Sequence, residues 1–130
     1  MHERGNIIKR YEGAGAPPPA GPYSPGIRFG DTLYVSGQGP FAADGSRIGE
    51  TFADQVRITM GNIAKIAEAA GTTLDQAVRM GAYLQSLDDF QEFNAVVAEF
   101  LTEPYPARTT IQADLRGFDV EIDMGIAVTQ

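Results

Sequence analysis

The closing run Val120-Glu121-Ile122-Asp123-Met124-Gly125-Ile126-Ala127-Val128 constrains the fold more than any other segment. Val120, Ile122, Met124, Ile126 and Val128 share one parity, and Glu121 and Asp123 share the other. Successive side chains of a strand point to opposite faces, so such a run buries one face and leaves two carboxylates on the other. It needs neighbouring strands for its backbone groups and helices to cover its apolar side.

The chain supplies both. Thr51 is a good N-cap with Asp54 three residues on, and Phe52, Val56, Met60, Ile63, Ala67 and Ala70 recur at helical spacing. Gly71 supplies the stop, which predicts a helix over 52–70. Ser86 and Asp89 cap a second predicted helix, with Phe90, Phe93, Val97, Phe100 and Leu101 on its apolar face and Asn94 at the border; Pro104 and Pro106 end it. Residues 27–29 and 32–37 flank Gly30-Asp31 and read as a hairpin closed by a type II′ turn. Val78, Met80, Ala82 and Leu84 alternate with Arg79, Gly81, Tyr83 and Gln85, a strand with one buried face. A strand over 108–113 puts Thr109, Ile111 and Ala113 on one side and Arg108, Thr110 and Gln112 on the other, the polar set being assigned away from the helices.

The resulting order is β-ββ-α-β-α-ββ. It describes one α+β domain over residues 1–130, a mixed sheet with two helices on one face. Residues 13–22, rich in Pro and Gly, form an extended loop near its start. The helix-free face carries Arg, Glu, Thr and Gln and is expected to meet a partner subunit.

Composition removes most chemistry. There is no cysteine, which excludes thiolate catalysis and Cys-based metal centres, and the single histidine is His2, near the terminus, which argues against a Ser-His-Asp triad and His-based metal centres. A net charge of −7 argues against nucleic-acid binding. No apolar run approaches the ~18 residues of a membrane span, and the N-terminus lacks a signal-peptide h-region, so a cytoplasmic location is expected. Ser36-Gly37-Gln38-Gly39-Pro40 has no following Lys-Ser/Thr and is not a phosphate loop.

What remains is Arg108 and Glu121, a cation and a carboxylate expected on neighbouring strands, suited to a small anionic ligand that must meet a positioned water. Pattern alone leaves bland readings open. Arg108 and Glu121 also suit interface ion pairs. Tyr23 also suits simple packing, Ser36 a turn hydrogen bond, and Asn94 a local cap.

Several motifs occur in one order: Gly21-Pro22-Tyr23-Ser24-Pro25-Gly26, Tyr34-Val35-Ser36-Gly37-Gln38, Ala69-Ala70-Gly71, Asp89-Phe90 with Phe93-Asn94, Pro106-Ala107-Arg108 and Val120-Glu121-Ile122. In that order and spacing the chain resembles the Rid family, also called the YjgF family, over about residues 7–128. The resemblance implies a chorismate-mutase-like α+β fold and a homotrimer with ligand clefts between subunits. It implies hydrolysis of reactive 2-enamine and 2-imine acids to 2-keto acids and ammonia, with no metal and no organic cofactor. By motif position Arg108 matches the arginine that binds the substrate carboxylate, and Glu121 the glutamate that holds the attacking water. Tyr23, Ser36, Gly37, Thr110 and Asn94 match positions lining the cleft, Thr110 standing where many members carry cysteine. The chain departs from the family in two places. The run after Glu121 is one residue longer than the commonest ending, and the Pro-rich loop before Gly21 is longer than usual. Alternatives are a deaminase for a larger substrate such as 2-aminomuconate, a non-catalytic carboxylate-binding regulatory trimer, and an RNA-acting protein, since some members carry ribonuclease labels.

Overall fold

The computed structural model describes residues 7–129. His2 and the residues read for a signal peptide lie largely outside that range. Six strands form one sheet: β1 Ile8–Tyr11, β2 Gly26–Phe29, β3 Thr32–Gln38, β4 Ala77–Leu84, β5 Ala107–Gln112 and β6 Val120–Ala127. Helices α1 (Phe52–Ala69) and α2 (Phe90–Val97) cover one face. The spatial order is β1-β2-β3-β6-β4-β5, antiparallel throughout except for the parallel β4–β5 pair. This is the α+β arrangement expected, in the expected element order. No described helix is long and apolar enough to cross a membrane.

β6 lies in the middle of the sheet because its alternation is the strictest. Val120, Ile122 and Ile126 are fully buried and Met124 nearly so. Leu33 and Val35 from β3, and Met80, Ala82 and Leu84 from β4, extend the same apolar layer. Val56, Met60, Ile63 and Ile66 of α1 close over it. Each of these larger side chains contributes about 1.5–3 kcal/mol of burial, far more than any exposed ion pair on the surface. Thr51 Oγ1 accepts from the Asp54 amide at 3.1 Å, and Gly71 adopts φ +82° just past the helix end, so both ends of α1 stop where their residue types dictate. Gly30 has φ +65° in the two-residue β2–β3 link, as a type II′ turn requires.

Two buried polar side chains on α1 fix the strands that matter below. Gln55 donates to Asp119 Oδ2 at 3.1 Å and accepts from the Asp119 amide at 2.9 Å, which sets the entry to β6. Asn62 donates to the carbonyls of Gly39 and Phe41, which holds the exit of β3.

The structure corrects the sequence reading at four points. Val78 is 54% exposed rather than part of the apolar face of β4. Ala77 pairs with Ile126 and Arg79 with Gly125, so Val78 is an extra residue, a bulge that turns Ala77 inward instead. The second helix is shorter than predicted. Ser86 Oγ caps a 3₁₀ turn over Leu87–Asp89, α2 starts only at Phe90 and ends at Val97, Phe100 lies in the turn that follows and Leu101 beyond it. β5 and β6 are not neighbours, because β4 lies between them. Finally, Arg108, Thr110 and Gln112 register with Met80, Ala82 and Leu84, which puts Arg108 on the helix side of the sheet. The polar set of β5 therefore faces the helices, opposite to the parity assignment.

Candidate functional site

The candidate residues fall into two groups. The first surrounds Arg108 on edge strand β5. Its Nη2 donates to Asn94 Oδ1 of α2 at 2.6 Å. Its guanidinium carbon lies 5.2 Å from the centre of the Phe93 ring and 5.4 Å from that of Phe90, within reach of cation–π attraction. These aromatic walls take water away from the cation, and the resulting desolvation lowers its pKa. A guanidinium stays charged even so. Among the described residues no carboxylate pairs with Arg108. It is a partly desolvated cation with one neutral partner, arranged to take an anion. Thr110 lies two residues along on the same side, half-buried.

The second group surrounds Glu121 on the helix-free face. Glu121 pairs in register with Tyr83, and Asp123 with Gly81. Glu121 follows Val120 without a register break. The irregularities beside β6 lie on β3, between Val35 and Gln38, and on β4, between Ala77 and Arg79. The longer C-terminal run thus leaves Glu121 in the expected parity. The β3 bulge sets Ser36 and Gly37 on the outward side. A Cβ on Gly37 would collide with Glu121 Oε2 and come within 3.0 Å of its Cδ. Glycine is needed there for space, since its φ is not positive.

The Glu121 carboxyl lines a cavity of about 220 Å³ with the 17–20 loop, Tyr23, Gly37 and Phe41. Burial, and secondarily the nearby Asp123 charge, push its pKa above the usual carboxylate value. Asp123 is itself held: it accepts from the Gly81 amide at 3.1 Å and from the Tyr83 hydroxyl at 2.7 Å, and that bond raises the Tyr83 pKa. Tyr23 lines the cavity and Ser36 lies next to Gly37 in the β3 bulge. The Tyr23 hydroxyl accepts from the Ala20 amide at 3.1 Å, and Ser36 Oγ donates to the Ser24 carbonyl at 2.6 Å. Both are engaged in holding the loop that forms the cavity wall.

Asp123 and Tyr83 were not singled out from the sequence. The signal was available, since Asp123 shares the parity of Glu121 two residues away. Phe90 and Phe93 were read as core; Phe93 is fully buried, and it also faces the Arg108 cation. Among the described residues no cluster of three His, Cys, Asp or Glu side chains could hold a metal ion.

Arg108 and Glu121 therefore occupy opposite faces of the sheet, with β4 between their strands. Two strand spacings alone are ~10 Å, and the sheet itself separates the side chains. One copy of the chain cannot close both groups on a ligand of a few atoms.

The endoribonuclease L-PSP family model matches residues 13–129. A RutC family protein of Saccharolobus solfataricus is 38% identical over 112 residues, 85% of this chain and 89% of that protein. A 2-iminobutanoate/2-iminopropanoate deaminase of Dermatophagoides farinae is 32% identical over 97 residues, 74% of this chain and 76% of that protein. The crystal structure of RidA from the Antarctic bacterium Psychrobacter sp. PAMC 21119 superposes with a TM-score of 0.86 at 34% identity, covering 92% of this chain and 99% of that one. With the motifs, the strand order and two helices on one sheet face all in agreement, the chain belongs to the endoribonuclease L-PSP family, which is the Rid family that the sequence motifs resemble.

Proposed function

We propose that the protein hydrolyses 2-imino acids, and the 2-enamino acids that tautomerise to them, to 2-keto acids and ammonia. The site would be assembled between copies of the chain, in a homotrimer. The observation that carries this reading is the division of the candidate residues. A guanidinium that no described carboxylate pairs with stands on one edge strand, and a carboxylate with raised proton affinity stands on the open face of the same sheet. Each is half of a site that a second copy completes.

Arg108 of one copy grips the substrate carboxylate through paired N–H donors. Asn94 and the Phe90 and Phe93 rings hold the guanidinium in place. Glu121 of the neighbouring copy, seated over Gly37, orients a water toward the imine carbon and takes one of its protons. The C–O bond forms and that proton passes to nitrogen, giving a carbinolamine; Glu121 then relays the hydroxyl proton to nitrogen as the C=O bond forms and the C–N bond breaks, releasing ammonia and the keto acid. A carboxylate whose pKa is raised is a better proton acceptor than an exposed one, and general-base help of about 10²–10⁴ suffices because imines already hydrolyse slowly in water. The deaminase relative at 32% identity supports the reaction class.

The test uses complementation. Arg108→Ala and Glu121→Ala should each abolish ammonia release from 2-iminopropanoate generated in situ by an amino-acid oxidase. When the two variants are co-expressed, a shared site predicts that about a quarter of the clefts regain both groups. Recovery of activity near that level supports the reading. Wild-type protein that adds nothing to the spontaneous rate refutes the chemistry, and inactive mixed oligomers refute the shared site.

A further inference from the structure

The reaction above uses the polar end of Arg108 and leaves unexplained the cavity beside it. This cavity, about 320 Å³, opens between β4, the C-terminal end of α2 and the 101–106 segment. Met80, Val97, Ala98, Leu101 and Pro106 form its apolar wall. Its remaining lining residues are Asn94, Tyr105 and Arg108, and no second cation is among the described residues that line it. Its size is at the low end for pockets that hold small molecules, ~300–1,000 Å³, and well above the room needed for one water.

The amphipathic character decides what fits. A mostly apolar, partly open cavity ending on a guanidinium that no described carboxylate pairs with matches a molecule with a carboxylate at one end and hydrocarbon at the other. A second carboxylate would lose water against Met80, Val97 and Leu101 with no described cation there to receive it, a net cost. We propose that the cavity receives the aliphatic tail of a monocarboxylate bound at Arg108, so that the protein selects substrates with an apolar side chain of about three to five carbons. It rejects dicarboxylates. This specificity rests on the imino-acid reading above only for the identity of the reacting group; the tail selection itself is a binding property.

Calorimetric titration of the intact protein with acetate, butanoate and hexanoate tests it without turnover. Burial of each methylene should tighten binding about fourfold. Hexan-1-ol, which lacks the carboxylate, and adipate, which carries two, should bind far more weakly than hexanoate. Ala98→Leu, at an exposed position on the cavity wall, should erase the chain-length gain while leaving acetate affinity unchanged. Leu101→Ala should shift the preference to octanoate. Affinity independent of chain length, adipate binding as tightly as hexanoate, or an Ala98→Leu protein that still favours hexanoate would each overturn the inference. None of those results touches the complementation test, and a failure of deamination leaves this titration fully interpretable.

Discussion

Gly37→Ala isolates the closest approach between the two strands that build the Glu121 half of the site. Gly37 stands in the β3 bulge with no positive φ, so alanine incurs no backbone strain there. The new methyl would overlap Glu121 Oε2 and approach Cδ to 3.0 Å and Cγ to 3.3 Å. To restore ordinary contact distances the carboxylate must retreat by about 1 Å. The carboxylate is the far end of a flexible side chain, so the stability loss belongs at the low end of overpacking costs, about 1 kcal/mol. For a chain of this size that is a fall in Tm of roughly 3–5 °C. On the proposed mechanism the catalytic cost should be much larger, because a base misplaced by about 1 Å loses on the order of 10²-fold in rate. Thermal denaturation and the coupled ammonia assay measure the two effects separately. A Glu121→Ala background supplies the control: with the carboxylate gone, Gly37→Ala should cost almost no stability, giving a coupling energy of about 1 kcal/mol in the double-mutant cycle. Full activity in Gly37→Ala, or an equal stability loss with and without Glu121, would refute the claim that Gly37 exists to seat this carboxylate.

Three further outcomes are expected. Because burial raises the Glu121 pKa in the folded state, that state binds the proton more tightly than the unfolded one, and stability falls as pH rises from the ordinary carboxylate value through the raised one. Glu121→Gln should therefore melt higher than wild type at neutral pH, with the difference vanishing below about pH 4; parallel melting curves at all pH values would contradict this. Asp123→Asn removes the negative neighbour of Glu121 and should move the acid limb of the rate profile to lower pH, whereas a merely structural role would lower the rate and leave the limb in place. On α1, Thr59 is fully buried and its hydroxyl has no hydrogen-bond partner among the described residues, so the isosteric Thr59→Val should stabilise by about 1 kcal/mol, seen as a higher urea midpoint at unchanged m.

Local patterns carried the architecture. The alternation of β6, the heptad-like apolar spacing and caps of α1, and Gly30 in its two-residue turn depend on near neighbours in the chain, and each formed as its residues dictate. The candidate residues were named by the ordered motifs, which identify residues without needing their positions in space. Three things were not legible, and they share a cause in long-range pairing. The Val78 bulge is set by the register of β4 against β6, which residues 77–79 do not encode alone. The side on which Arg108 lies was misjudged because β5 has weak amphipathicity: Ile111, its one large apolar residue, is 46% exposed on the outer face, while Arg108 sits at the helix rim where Asn94 and two rings receive it. The distance from Arg108 to Glu121 followed from strand order, since the parallel β4–β5 pair inserts β4 between two strands that are consecutive in sequence. Sequence parity ranks the two faces of a strand, but only packing against the rest of the sheet decides which face meets the helices, and here that choice placed the candidate residues in two groups on opposite faces.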